Sequence, residues 1–539
     1  MRSADIIGKK LAEAGCKTAF GIPGGEVLTL MDGLTGAGIE FILVKHENAG
    51  GFMAEGTWHG TSAPDTGEGS QAPAILVATV GPGVANAVNV IANAMQDRVP
   101  MIFLTGCVDA AEAETYTHQV FDHQAMLAPI VKGTFKAAEG AIGVMMDKAI
   151  QLAISGQPGP VHVDLPIAIA KSVAEDGYSA LPSLPSSGLP PLSELEAVKE
   201  RISNASKPIA VVGVDALNEG ADIKNFCETL NIPMVATYKA KGMVDERSLL
   251  SLGGAGLSPK ADTILMPLFE ESDLVLLLGY DPIEMRVGWR NPWDASKAVE
   301  VTSTLRNHGM HGADTTLLGN IAVTVADLAT AKSGTYWEDG GVGSARAKLK
   351  EMFSVKASKF GPEHVFATLR EVAPDNTVIT ADSGAHRILL SQMWECYTPR
   401  TMLQSSALCT MGCAVPLATG YKYVQPDVPT IAFVGDGGLE MMMGDLSTIR
   451  DKKVPLIICT LIDESFGLIE LKQRGMQLPN VGVDFSGTDF PTVAKGFGGY
   501  GVWIDDVETL KAEFEAALTR ETFTILCPRI GRQAYDGKF

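Results

Sequence analysis

The stretch "TIAFVGDGGLEMMMGDLSTIRDKKVPLIICTLIDESFG", residues 430–467, contains two apolar runs that each end in an acid, Asp436 and Asp463, 27 residues apart. "TIAFV" and "PLIICTLI" have the length and continuous hydrophobicity of strands buried on both faces. The intervening "LEMMMGDLSTIRDKKV" has helical spacing, so the whole reads as a strand–helix–strand unit of a parallel sheet. Ligands of such sheets bind beyond the carboxyl ends of the strands, where both acids fall. An Asp among glycines is by itself an ordinary turn. A second acid at the end of a neighbouring strand favours a cation site instead. Gly435, Gly437 and Gly438 would offer free amides and a helix start to an anion, so a metal with a diphosphate fits better than either alone. No Gly-Lys-Ser/Thr follows, which excludes a P-loop.

The same grammar extends outward through the 539 residues. "IEFILV", "APAILVAT", "PMIFLTG" and "GPVHVDLP" are strands of a first block. "PIAVVG", "PMVATY" and "DLVLLLG" belong to a second, and "TVITAD" and "TFTILCP" complete a third. Helical stretches such as "GVANAVNVIANAMQD" separate them. The expected fold is α/β, with three consecutive doubly wound parallel-sheet domains at 1–172, 190–335 and 355–539. "SALPSLPSSGLPPLSE" reads as a linker between the first two, and "SAPDTGEGSQAP" (62–73) as a surface excursion.

Composition narrows the classes. Hydrophobic residues make up 46% and charged ones 20%, as in a globular protein, and the net charge of −20 opposes nucleic-acid backbones and acidic membranes. No segment reads as a signal peptide or membrane span, so a cytoplasmic location is expected. Eight cysteines, none in a CxxC pair, read as buried reduced thiols.

With these motifs in place the chain resembles the thiamine-diphosphate-dependent enzymes of the acetolactate synthase, pyruvate oxidase and pyruvate decarboxylase group, and acetolactate synthase-like large subunits most. The family's Gly-Asp-Gly, followed some 27 residues later by Asn, is answered by "GDGG" and "LIDESFG". "AFGIPGGEVLTLMDGL", "VKHENAGGFMAEG", "ATVGPGVANAVNVIANAMQDRVPMIFLTG" and "QPGPVHVDLP" are similar to its first domain. "IPMVATYKAKGMV" is similar to its middle domain and "LCTMGCAVPLATG" to the start of its third.

The resemblance implies a set of roles. Glu47 would pair with N1′ of the cofactor's aminopyrimidine, and a carboxyl shielded from water suits sharing a proton there. Asp436, Asp463 and the carbonyl of Ser465 would hold Mg²⁺. Asp463 departs from the family's usual Asn, keeping an oxygen ligand while adding a negative charge. Met411 would prop the bent cofactor, bordered by Pro23, Gly24 and Gly25. Gly384, Ala385 and His386 of "DSGAHR" would contact the diphosphate, with Gly435, Gly437, Gly438, Phe466 and Gly467. In "YTHQVFDH", Gln119 fits the synthase glutamine and His118 a proton donor, while His123 reads as a cap or a solvent-facing side chain.

The implied reaction is decarboxylation of a small-molecule 2-oxo acid with carboligation of the resulting enamine to a second carbonyl. Alternatives are a nonoxidative decarboxylase or a 2-hydroxyacyl lyase, then an FAD-linked oxidase or an inactive cofactor-binding protein. "VVGVDALNEG" and "LLLGYDPIEMRVGWRNPW" give no clear dinucleotide fingerprint, which leaves FAD undecided. A homodimer or homotetramer with shared active sites is implied.

Overall fold

Eighteen strands, named here in chain order, form three six-stranded sheets in the computed structural model, which describes residues 1–62, 72–175, 188–305 and 308–539. The first sheet contains β1 (Thr18–Gly21), β2 (Glu40–Leu43), β3 (Ala74–Ala78), β4 (Met101–Cys107), β5 (Gly133–Lys136) and β6 (Pro160–Pro166). The central sheet contains β7 (Pro208–Val212), β8 (Met234–Thr237), β9 (Ser251–Ala255), β10 (Leu274–Leu278), β11 (Ala298–Thr302) and β12 (Thr315–Leu318). The third contains β13 (Val378–Ala381), β14 (Met402–Gln404), β15 (Thr430–Gly435), β16 (Ile457–Leu461), β17 (Tyr500–Ile504) and β18 (Thr524–Pro528). All the pairings between these strands are parallel, as runs apolar on both faces require.

The outer sheets share one order, β2-β1-β3-β4-β6-β5 and β14-β13-β15-β16-β18-β17, with the winding reversing between β1 and β3 and between β13 and β15. The central sheet runs β12-β11-β10-β7-β8-β9 and reverses between β7 and β10. β15 and β16 are direct neighbours, with Ile431 opposite Ile457 and Gly435 opposite Leu461, so their ends bring Asp436 and Asp463 together. The single helix expected between them is broken into Asp436–Glu440, a 3₁₀ turn at Met443–Asp445 and Leu446–Asp451. Asp445 accounts for the last break: its carboxylate accepts N–H from Lys45 of the first block (2.9 Å), so tertiary contact overrides helical continuity.

The first and third blocks meet along the helices Glu47–Thr61 and Ala414–Val424. Their backbones touch: a Cβ on Gly56 would lie 2.1 Å from the Leu417 carbonyl oxygen, and one on Gly420 1.8 Å from that of Met53. Glycine at both positions is what lets the helices approach so closely. The sequence expectations at 62–73 and 179–194 fall largely outside the described residues. All eight cysteines are free; seven are buried and Cys409 is exposed, a partial correction of the expected buried set. No helix among the described residues is long and apolar enough to cross a membrane.

Candidate functional site

A cleft opens at the carboxyl end of the third sheet, where its winding reverses. Its walls come from the residues after β13 (Ser383–His386), after β15 (Gly435–Gly438) and after β16 (Asp463, Ser465–Ile469), with Met411 and Tyr535 closing it. Helices begin at Ala385, Asp436 and Gly467, so three helix N-termini border one space, with the Gly437 N–H turned to Asp436 and the Phe466 N–H to the Val483 carbonyl. Gly384, Ala385, His386, Met411, Gly435, Gly437, Gly438, Ser465, Phe466 and Gly467 are thus brought together as the sequence motifs suggest.

Asp436 and Asp463 are both buried. The Asp436 carboxylate accepts N–H from Gly437 (2.9 Å), Asp463 (3.2 Å) and Glu464 (2.7 Å), tying the end of β16 to the start of the helix after β15. It therefore does the work of a turn while lining the cleft. Burial raises its pKa; burial and the adjoining Asp436 carboxylate together push Asp463 up to about 8. Two carboxyls destabilising each other's charge in a dry cleft form an oxygen donor set for a hard divalent cation.

Other groups in the cleft are also unspent. Ser465 Oγ and His386 Nε2 are buried and have no hydrogen-bond partner among the described residues. Burial pushes His386 down to about 3, so it is a neutral imidazole. Gly438 is required by contact: a Cβ there would lie 2.2 Å from Asp382 Oδ2 and 2.9 Å from Val434 Cγ2. Asp382 in turn accepts N–H from Gly412 (2.9 Å) and Cys413 (2.8 Å), fixing the segment that carries Met411. Tyr535 and Asp382 were missed in the sequence. The "AYDG" run around Tyr535 carries no local signal, because only the fold returns it to Asp463.

A second group of predicted residues gathers at the carboxyl end of the first sheet. Glu47 opens the helix Glu47–Thr61 and is 3% exposed, not a surface glutamate. Asn86 Nδ2 donates to its Oε2 (3.0 Å), and a Cβ on Gly83 would lie 3.1 Å from its Oε1. Pro23, Gly24 and Gly25 follow β1; a Cβ on Gly24 would meet Thr79 Oγ1 at 2.1 Å, so this loop lies against the one after β3. Gln119 has a left-handed backbone (φ 60°), and its carbonyl sits against Gly81. His118 and Gln119 are both exposed, His118 with its ring edge-on to Tyr116. His123 corrects the sequence reading: it is 3% exposed, and Asp122 caps the short helix that His123 begins. None of Glu47, Pro23, Gly24, Gly25, His118 or Gln119 is among the residues lining the third-sheet cleft.

The corresponding crevice of the central sheet, between β7 and β10, is filled by the chain itself. A Cβ on Gly213 would lie 2.5 Å from Tyr280 Cα, and one on Gly279 2.6 Å from the Ala216 nitrogen. Tyr280 and Trp289 are buried there, with His311 stacked on Tyr280. These contacts offer no cradle for a dinucleotide, and FAD gains no support.

Comparison with known proteins matches this arrangement block by block. Residues 1–126 match the thiamine pyrophosphate enzyme N-terminal TPP binding domain, 195–328 its central domain and 382–527 its C-terminal TPP binding domain. The chain is 28% identical to the acetolactate synthase isozyme 1 large subunit of Escherichia coli, over 92% of this chain and 88% of that one. It is 26% identical to the acetolactate synthase of Bacillus subtilis, over 94% and 90%. Against the probable acetolactate synthase large subunit of Methanocaldococcus jannaschii it is 27% identical, over 97% and 91%.

Proposed function

Because the chain belongs to the thiamine pyrophosphate enzyme family and is a thiamine-diphosphate-dependent enzyme, we propose that it decarboxylates a small 2-oxo acid and joins the remaining fragment to a second carbonyl compound, as an acetolactate synthase-like carboligase. One observation carries the placement of the cofactor. A single cleft combines two mutually repelling buried acids, three helix starts and two buried polar atoms without partners. A diphosphate with a divalent cation satisfies all of them. When bound, the cofactor would supply an acidic carbon whose conjugate base is a nucleophile toward a 2-oxo group, and a ring able to take up the electron pair left when carbon dioxide departs.

The chain's own residues do the rest. Asp436, Asp463 and the Ser465 carbonyl are oxygen donors suited to Mg²⁺, and the cation would displace the Asp463 proton, so that its charge adds to the attraction once bound. The N–H groups at 384–386, 438 and 467 would neutralise diphosphate oxygens, and Ser465 Oγ and His386 Nε2 could add hydrogen bonds. Met411 shapes the wall of the cleft. Glu47, dry and oriented by Asn86, holds or releases a proton at N1′ of the aminopyrimidine. Gln119, on an exposed loop beside Gly81, is placed to contact substrate, with His118 as a proton donor next to it.

Glu47 lies outside the cleft that holds Asp436, which supports a site completed by the first block of a second copy in a homodimer or homotetramer. A nonoxidative decarboxylase or lyase would use the same groups and differ in what intercepts the fragment. The test is a panel of 2-oxo acids with thiamine diphosphate and Mg²⁺, with products identified by mass spectrometry. A coupled 2-hydroxy-3-oxo acid product is expected. Free aldehyde alone would replace the carboligase by the decarboxylase, and inertness toward every acid would refute both.

A further inference from the structure

Behind the first-sheet half of this site lies a buried polar cluster that the roles above leave unused: His123, Asp164, Thr105 and His162, all under 5% exposed. Thr105 on β4 and Asp164 on β6 are register partners. Thr105 Oγ1 donates to Asp164 Oδ1 (2.5 Å), and His162 Nε2 lies 2.7 Å from Thr105 Oγ1. With the Thr105 proton committed to Asp164, His162 must donate from Nε2, and its Nδ1 is left as a bare buried acceptor. His123 Nδ1 is 2.9 Å from the same Asp164 oxygen, while its Nε2 accepts the backbone N–H of Gly81 (3.1 Å).

Those two contacts fix the imidazole. An Nε2 that accepts an N–H carries no proton, so the proton is on Nδ1, where Asp164 receives it. His, His and Asp within reach of one another also suggest a metal. The Gly81 bond argues against it, because the His123 nitrogen nearest Asp164 is occupied by hydrogen. Burial works against the Asp164 charge, yet hydrogen bonds from His123 and His162 outweigh it and hold the carboxyl well below its usual range.

Gly81 is where this cluster reaches the site. It has φ 68°, precedes the helix Pro82–Gln96, and that helix start has no side-chain cap. A Cβ on Gly81 would lie 2.1 Å from the Gln119 carbonyl oxygen, so the two loops touch. Two residues on, Gly83 abuts Glu47 Oε1, and Asn86 in the next turn donates to Oε2.

We propose that His123, locked by Asp164 as the Nδ1–H tautomer, is a positioning residue that holds the Gly81–Gly83 loop and thereby sets Glu47 and Gln119 in register with the substrate side of the site. Removing the acceptor orphans a buried N–H at the helix start and frees the loop that abuts Glu47. Asp164→Leu keeps the bulk but removes the acceptor of Nδ1–H, so the tautomer is no longer locked and a proton on Nε2 would oppose the Gly81 N–H.

The inference rests on the role proposed for Glu47, and the experiment separates the two. The readouts are deuterium exchange at C2 of bound thiamine diphosphate, by acid quench and NMR, and the cofactor Kd by calorimetry on the apoprotein with Mg²⁺. His123→Ala and Asp164→Leu should each slow exchange by about 10- to 100-fold, the cost of an ångström-scale misplacement, with Kd changed less than about threefold. His123→Gln, whose amide oxygen can take the Gly81 N–H, should recover most of the exchange rate. Parental exchange in Asp164→Leu, or equal loss in His123→Gln and His123→Ala, overturns the tautomer lock. If His123→Ala does not fold, Asp164→Leu decides alone. Exchange that survives Glu47→Gln would instead break the assignment of Glu47.

Discussion

Replacing Lys239 with Met should weaken the joint between all three blocks, and the structure allows the effect to be sized. Lys239 follows β8 of the central sheet; its ammonium lies 3.0 Å from Asp97 and 3.4 Å from Glu55 of the first block, all at most 1% exposed on their side chains. Asp97 also accepts N–H from Ser406 (2.9 Å) and Ala407 (3.0 Å) of the third block, at the head of the segment leading to Met411. Asn93 joins the same network, donating to Glu55 (3.1 Å) and accepting from Ser405 Oγ (2.7 Å). Removing the cation leaves two buried carboxylates, a change worth about 3–5 kcal/mol and roughly 6–20 °C in the first thermal transition. Burial already raises Glu55. A carboxyl whose folded pKa exceeds its unfolded value binds a proton on folding, so stability rises as pH falls through that folded value toward the unfolded one. The deficit of the variant should therefore narrow from pH 7.5 to 5.5, and Glu55→Gln added to Lys239→Met should recover part of it. Differential scanning fluorimetry on apoprotein, with and without thiamine diphosphate, reads all three. An unchanged transition, or a deficit that widens on acidification, would mean that Lys239 does not compensate these carboxylates.

Glu47→Gln preserves size but not the proton equilibrium, so turnover should fall by at least about 100-fold while cofactor Kd changes modestly; full turnover would exclude the assigned role. Asp436→Ala should abolish Mg²⁺-dependent cofactor binding in calorimetry and Asp463→Asn should retain it, whereas an Asp463→Ala protein binding as tightly as the parent would exclude a two-acid cation site. His386 is held neutral in the fold, with a pKa near 3, while the unfolded chain protonates it at ordinary imidazole pH. Its contribution is thus present above about pH 6.5 and lost at up to about 1.4 kcal/mol per unit as pH falls below that value, toward 3. His386→Gln should flatten the acid side of the stability profile, measured by urea unfolding from pH 7 to 5.

The long, doubly buried strands were legible because "TIAFV", "PLIICTLI" and "APAILVAT" leave few alternatives to a covered parallel sheet. Short or half-exposed strands were not. Met402–Gln404 has three residues, while Gly133–Lys136 and Tyr500–Ile504 sit at sheet edges with much of their surface exposed or half-buried, so neither length nor pattern announces them. Asp436 and Asp463 could be paired in advance because one crossover links them. The Glu47 neighbourhood was legible only through resemblance, since Asn86 and Gly83 reach it from a different strand connection. His123 was misread for a related reason: its partners, Gly81 and Asp164, lie 42 and 41 residues away, and local sequence offers only a residue beside a helix cap. Lys239 carries no signal of its own within "IPMVATYKAKGMV", because burial at a junction of three blocks is a property of the assembled chain.

Coexpression of Glu47→Ala and Asp436→Ala chains with different tags tests whether Glu47 of one copy completes the cleft containing Asp436 of another. Each variant alone should be inactive. With random pairing half of the dimers are mixed, and each mixed dimer has one site carrying both changes and one carrying neither, so roughly a quarter of parental decarboxylation should return. If each site were built within one chain, every site would carry a lesion. No activity from tag-purified mixed dimers would contradict the shared site.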